Sequence, residues 1–447
     1  MRTVAFHNLG CKVNSYEMDA MLQDLRRHGY EIVAFDEKAD IYIVNTCTVT
    51  NMADRKSRQM LHKAKKTNPE AIVVAVGCYV QSDTEGVRAD DAVDLMIGNN
   101  KKKDLVSILE SYMDGIEEET VIDINHTNEY EEMRLTGTEE HTRAYIKIQD
   151  GCNQFCSYCM IPYARGRVRS RRKEDILEEI KGLVQAGYQE FVLTGIHISS
   201  YGVDFKKAGT AEDDLLSLMQ AIDRLDGVKR LRLGSLEPRI ITEEFAKGIG
   251  ALEHICPHFH LSLQSGCEET LKRMNRHYTP EQFYAGVELL RQTFEHPAIT
   301  TDVIVGFPGE TAEEFETTRA FLENVCFYEM HIFKYSKRKG TRAAVMENQI
   351  PEPVKTQRSN ILIAMEEKDT AAFREYYLGK EVEVLFEEKK EIDGQEYWIG
   401  HTKEYVKVAL PNDGQDYQNC LVKGKIIHAL NKEVLFMGNN TLNFQTN

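Results

Sequence analysis

The chain has 447 residues, 42% of them apolar and 28% charged, the balance of a water-soluble globular protein with length for about three domains at roughly 150 residues each. Its net charge of −16 argues against unspecific attraction to a polyanion, and no run approaches the ~18 apolar residues of a membrane span. Ten cysteines, in a chain whose first residues enter a strand pattern without a signal-peptide core, suit reduced thiols or metal ligands in the cytoplasm better than a disulfide framework.

Residues 1–114 alternate strand and helix signals. Short apolar runs at 4–6, 41–44 and 71–76 have the texture of buried parallel strands, with helical patterns near 15–28 and 52–66 between them. Each run is followed by a cysteine: Cys11, Cys47 and Cys78. Strand C-termini in a parallel sheet share one edge, so these three thiols are expected to converge where such sheets bind ligands. The bland alternative is three small core residues. Residues 115–137 are polar, acidic and aperiodic, and read as a linker.

From 138 to 369 strands and helices alternate again. Strands are expected at 144–149, 190–194, 229–234, 259–264, 300–306 and 328–335. Helices are expected near 172–186, 212–225, 242–250, 279–294 and 311–324, with a helical connector over 351–377. Six such units suggest a partial (β/α)6 barrel of the TIM type. Residues 370–440 change texture. Short alternating strands at 381–386, 405–408, 425–427 and 434–437, separated by turn residues, suggest a small OB-like β-barrel. The fold class is therefore α/β: a parallel α/β domain, a partial barrel, then a β-barrel.

The strongest motif follows the first barrel strand. Cys152, Cys156 and Cys159 form a CxxxCxxC run, Asp150-Gly-Cys-Asn-Gln-Phe-Cys-Ser-Tyr-Cys-Met-Ile-Pro162. Three soft thiolates on one loop can ligate three irons of a [4Fe–4S] cluster and leave the fourth open, at the barrel face where chemistry sits. A zinc knuckle or a redox CxxC is the alternative. Zinc prefers a fourth ligand nearby, and the nearest upstream histidine, His141, lies outside the loop. Residues 165–173 hold six basic groups in nine positions, so Arg165, Arg167, Arg169, Arg171 and Arg172 are candidate phosphate contacts on an acidic protein. A solvated helix start is the other reading of that strip.

These motifs, in this order, resemble the radical SAM methylthiotransferases over nearly the whole chain. Gly10-Cys-Lys-Val-Asn-Ser-Tyr-Glu17, Gly151 to Gly166, Leu193-Thr-Gly-Ile-His197 and Gly340-Thr-Arg-Ala-Ala344 resemble the MtaB branch in particular. Lys12 stands where the MiaB branch usually has Gln and the ribosomal-protein branch Pro. The resemblance implies two [4Fe–4S] clusters. Cys152, Cys156 and Cys159 would hold the one that cleaves S-adenosylmethionine (SAM), and Cys11, Cys47 and Cys78 an auxiliary one that handles sulfur. A C-terminal TRAM domain is implied as well.

The implied reaction places a methylthio group on C2 of N6-threonylcarbamoyladenosine at tRNA position 37. An aromatic C–H offers no useful acidity to a base, so the cofactors carry the hard chemistry. The implied partners are that tRNA, a low-potential electron donor and a sulfur source, with no membrane. Strand ends carrying Thr194, Gly195, Ser235, Glu237, Gln264 and Asp302 are candidate SAM contacts, each with a capping or barrel-layer role as its alternative. The rival functions are methylthiolation of isopentenyladenosine in tRNA or of a ribosomal protein, and, in another class, a non-catalytic iron–sulfur carrier.

Overall fold

A computed structural model describes residues 2–137, 142–438 and 443–444. His141 and the junction at 138–141 lie outside these. No described helix is long and apolar enough to cross a membrane.

The first sheet contains β1 (Thr3–Asn8), β2 (Glu31–Val33), β3 (Ile41–Thr46), β4 (Ile72–Gly77) and β5 (Leu95–Ile97), all parallel in the order β2-β1-β3-β4-β5. β3 is buried along its whole length, as its unbroken apolar run requires of a strand covered on both faces. Helix α1 (Lys12–Arg27) leaves this sheet and packs on the first two parallel barrel strands, β6 (Arg143–Asp150) and β8 (Glu190–Gly195). It thereby fuses the two cores into one: Tyr16 and Met21 share a cluster with Ile146, Leu193 and Leu231.

The barrel strands are β6 (Arg143–Asp150), β8 (Glu190–Gly195), β9 (Arg230–Leu233), β10 (His258–His260), β11 (Ala298–Val305) and β12 (Glu329–Lys334), with the short antiparallel β7 (Arg169–Ser170) beside β6. Neighbours pair in parallel, and isolated bridges such as Leu231 to Ile255 join the two halves. Six parallel strands in sequence order make the expected partial barrel. The fourth is shorter than the expected 259–264. Beyond His260 the chain keeps only single bridges at Leu261 and Gln264, and Gln264 takes φ 70°, which no regular strand admits.

The residues 115–137 are less free than a linker. Ile124, Met133 and Leu135 are buried, Tyr130 Oη donates to the Lys147 carbonyl at 2.9 Å, and Glu131 accepts from the Asn100 and Lys103 amides at 3.1 and 3.0 Å. The segment is a strap, anchored at irregular intervals that leave no periodic trace.

The C-terminal strands are β13 (Glu381–Ile392), β14 (Gln395–His401), β15 (Lys407–Pro411), β16 (Leu421–Ala429), β17 (Leu435–Met437) and β18 (Asn443–Phe444). β13 also pairs with β16, which closes β13-β14-β15-β17-β16 on itself and removes its edges. This body is seated on the N-terminal end of the barrel. Tyr405, at φ 71°, lies between the guanidiniums of Arg143 and Arg232 at 4.9 and 4.8 Å from its ring centre. Arg230 and Arg232 donate to the His401 and Lys403 carbonyls, both at 2.9 Å.

Candidate cluster and substrate site

The three N-terminal cysteines sit at the C-terminal edge of the first sheet. Cys47 directly follows β3, Cys78 follows β4, and Cys11 caps α1 just past β1. Cys47 and Cys78 are buried, while Cys11 is exposed. Gly10, at φ 117°, lets the two loops approach: a Cβ there would lie 3.2 Å from the Cys47 Cβ and 2.8 Å from Asn14 Nδ2. Burial pushes the Cys47 thiol up to about 11, and the nearby Cys78 and Cys11 push in the same direction.

The second triad lies on the loop after β6. Gly151, at φ 72°, has the Arg167 carbonyl 1.8 Å from where a Cβ would stand, so only glycine fits. Asn275 Nδ2 donates to the Phe155 carbonyl at 3.0 Å, and Ser157 Oγ to the Arg273 carbonyl at 2.8 Å, pinning the loop. Donors point at all three sulfurs. The Gln154 amide reaches Cys152 Sγ at 3.5 Å, Arg276 Nη1 reaches Cys156 Sγ at 3.2 Å, and the Ile161 amide reaches Cys159 Sγ at 3.4 Å. Burial raises Cys152 to about 11 and Cys159 to about 12, so free thiols would stay protonated and a metal must displace the proton.

A single zinc ion, with Zn–S near 2.3 Å, would draw tetrahedral sulfurs to about 3.8 Å of one another. Among the described residues the group of three ligand atoms that all lie within 4.8 Å is His260, Asp302 and His331, not either cysteine triad. Each triad offers three soft sulfur ligands, and N–H donors reach the sulfurs of the CxxxCxxC loop, a donor set that suits iron–sulfur clusters.

One buried guanidinium ties the two loops together. Arg165 donates through Nε to Cys78 Sγ at 3.2 Å, and through its Nη atoms to Glu17 at 2.8 and 3.0 Å, Asp150 at 3.1 Å and Asn14 Oδ1 at 2.6 Å. Lys147 bridges Glu17 and Asp150, both at 2.7 Å, and Lys102 adds 2.5 Å to Glu17. Arg165 thereby joins Cys78 to a buried network of Glu17, Asp150, Lys102 and Lys147, with Arg169 4.0 Å from Asp150.

The basic strip needs correction as an RNA surface. Arg165, Arg169 and Arg171 are 0–1% exposed. Arg169 donates to the Arg165 and Arg167 carbonyls at 2.9 and 3.0 Å, and Arg171 is held by Glu132 and Glu179. Their charge serves internal pairs, so they do not meet phosphates. Arg172 is exposed beside Asp175 at 2.7 Å. Arg167 is exposed with its guanidinium 4.4 Å over the Phe155 ring.

Thr194, Gly195, Ser235 and Gln264 stand at or just past strand C-terminal ends, on the side of the CxxxCxxC loop. Glu237 is held by Arg239 at 2.7 Å. Asp302 lies deeper, in the middle of β11, paired with His260 Nε2 at 3.3 Å. His197 bonds Ser200 at 2.6 Å, and burial with Arg276 and Arg239 lowers it to about 4, a neutral structural imidazole.

The barrel lumen was not foreseen. Phe191, Leu193, Leu231, Leu233, Phe259, Leu261, Ile299 and Val303 face the helices, so strand alternation turns Glu190, Arg230, Arg232, His258, His260, Asp302 and His331 inward. Lys12 joins them from α1. Water reaches its side chain, yet protein rings it: burial, then Arg232 and Arg143, lowers the ammonium to about 8. A packed TIM-type interior is Val, Ile and Leu; this one is a polar chamber.

The model of the radical SAM superfamily matches residues 146–322, and that of the uncharacterized protein family UPF0004 matches residues 3–98. A threonylcarbamoyladenosine tRNA methylthiotransferase of Bacillus subtilis is 41% identical over 96% of this chain and 94% of its own. The Aquifex aeolicus protein of that name is 40% identical over 88% and 95%. The chain belongs to the radical SAM methylthiotransferase family. A tRNA-2-methylthio-N(6)-dimethylallyladenosine synthase of Desulfitobacterium hafniense, from a sister branch, is 34% identical over 91% of both chains. Among solved structures, the radical SAM methyltransferase TsrM of Kitasatospora setae shares the fold, with a TM-score of 0.57 at 16% identity over 77% of this chain and 74% of that one. As a family member the protein uses SAM and carries two [4Fe–4S] clusters.

Proposed function

We propose that this enzyme methylthiolates C2 of N6-threonylcarbamoyladenosine next to the tRNA anticodon. The observation that carries the reading is the near-full-length similarity to threonylcarbamoyladenosine enzymes, at 41% and 40% identity against 34% for the dimethylallyl-type relative. The cysteine triads hold the two clusters. When bound, SAM and the clusters supply the radical and the sulfur, and the protein's task is to hold base and cofactor together away from bulk water. Thr194, Gly195, Ser235, Glu237 and Gln264 line the rim where SAM meets the open iron. A low-potential electron donor and a sulfur source complete the reaction, in the cytoplasm where tRNA is modified.

The RNA surface in this reading starts at the cluster loop. Arg167 lies over Phe155, whose ring meets the exposed Tyr163 edge-on at 6.0 Å. A cation over the half-buried Phe155 beside the exposed Tyr163 suits splayed anticodon-loop bases and their phosphates. Arg167→Ala is expected to weaken tRNA binding and flatten its salt dependence by about one slope unit, whereas loss of a purely internal arginine would not change the slope. Filter binding across a salt series measures this.

The substrate test is direct. Reduced enzyme and SAM are given purified tRNA bearing threonylcarbamoyladenosine or isopentenyladenosine, and nucleosides are read by mass. The methylthio shift is expected on the first and little or none on the second. A shift confined to isopentenyladenosine would place the chain in the sister branch.

A further inference from the structure

We propose that the barrel lumen holds the threonylcarbamoyl arm of the substrate, with Lys12 and His331 on its carboxylate and Asp302, oriented by His260, on its N–H and hydroxyl donors. This rests on the substrate reading above and adds the residues that recognise the arm.

The arm has two kinds of demand. Its carboxylate needs donors, and its ureido N–H groups and hydroxyl need acceptors. The lumen offers both within a small space. The ligand atoms of His260, Asp302 and His331 all lie within 4.8 Å of one another, and the two imidazoles stack at 5.7 Å between ring centres. Thr300 Oγ1 lies 3.0 Å from His260 Nδ1, and Asp302 Oδ2 lies 3.3 Å from Nε2. The neighbouring strands β10 and β11 thus fix ring and carboxylate against each other. The Asp302 side chain is still 29% exposed, so oxygen lone pairs remain for a ligand. His331 is exposed on β12, directly across from Asp302 in the strand register.

Lys12 supplies the charge. Arg232 pairs with Glu190 at 2.8 Å, and Arg143 with Glu387 at 3.0 Å. Lys12, the first residue of α1, lies in the field of Arg232 and Arg143 and has no ion-pair or hydrogen-bond partner among the described residues. Below it, the Tyr405 ring of the C-terminal body lies between the Arg143 and Arg232 guanidiniums. An apolar isopentenyl group in the same place would strip water from Lys12, Asp302 and two imidazoles and return no hydrogen bond. Sites built on buried polar partners reject such analogues strongly.

The experiment compares wild type with Lys12→Ala, Lys12→Arg and His331→Phe, each reconstituted and assayed for iron. Steady-state kinetics are run on the threonylcarbamoyl and isopentenyl tRNAs. Lys12→Ala and His331→Phe should lower kcat/KM on the threonylcarbamoyl tRNA by roughly tenfold or more, chiefly through KM, at wild-type iron content. Lys12→Arg should recover much of the loss, and His331→Phe should narrow the preference over isopentenyladenosine. If wild type prefers threonylcarbamoyladenosine and all variants keep that preference, the lumen assignment is wrong while the substrate reading survives. If wild type itself prefers isopentenyladenosine, the substrate reading has failed first. Stoichiometric zinc or manganese that is lost in His260→Ala, with selectivity intact, would make the trio a metal site and overturn the proposal.

Discussion

Anaerobic reconstitution is expected to load about eight irons per chain, four for each cluster. Changing Cys152, Cys156 and Cys159 together to Ala should leave about half of that iron and abolish reductive SAM cleavage. Changing Cys11, Cys47 and Cys78 should also leave about half, but 5′-deoxyadenosine should still form on reduction, because the open-iron loop after β6 is intact. Two features make the outcomes separable. Each triad has its own backbone frame, one at the edge of a parallel sheet and one on a barrel loop. Each also has its own sulfur-directed cation, Arg165 at Cys78 and Arg276 at Cys156, both at 3.2 Å. Iron and acid-labile sulfide assays with low-temperature EPR measure the result. Full iron in the second triple variant would remove the auxiliary cluster from Cys11, Cys47 and Cys78.

Motifs that carry chemistry in short spacings were legible in the sequence. The CxxxCxxC loop stands out because its three cysteines are close together in sequence. The Cys11, Cys47 and Cys78 set could be read because parallel topology turns separation along the chain into proximity at one edge. Barrel strands and helices were placed within a few residues, since each carries a strong period. Burial of charge was not legible. Arg165, Arg169 and Arg171 look like a phosphate strip, and nothing local reveals that Glu17, Asp150, Glu132 and Glu179 fold in to meet them. Likewise His258-Phe-His260 alternates as any strand does, and only closure of the barrel shows that both histidines face a shared interior. The strand β14 was missed because Gln395 and Glu396 dilute its apolar run. The turn at Asp393 and Gly394, both at positive φ, was the available hint.

The change expected to cost most stability is Arg165→Met. It empties the centre of a network in which Glu17 and Asp150 are almost fully buried. Breaking a buried pair from one side leaves charge without compensation, at about 3–5 kcal/mol. The cost should appear as a lower midpoint in urea, and Arg165→Lys should recover only part of it, because one ammonium cannot span Cys78, Glu17, Asp150 and Asn14. The variant should also change the acid response. Burial works to raise Glu17, but Arg165, Lys102 and Lys147 outweigh it and hold the carboxyl well below its ordinary value. Asp150 is likewise depressed, burial being overcome by Lys147, Arg165 and Arg169. Depressed carboxyls contribute stability that is present above their unfolded pKa, near 4, and is lost as pH falls through the lower folded value. Without Arg165 both folded values rise, so that contribution should already be lost at higher pH than in wild type. Urea midpoints from about pH 2 to pH 7, taken on cluster-free protein so that iron loss does not intrude, read the shift. Equal midpoints for wild type and Arg165→Met across that range would mean that the remaining lysines suffice and that Arg165 serves the Cys78 sulfur alone.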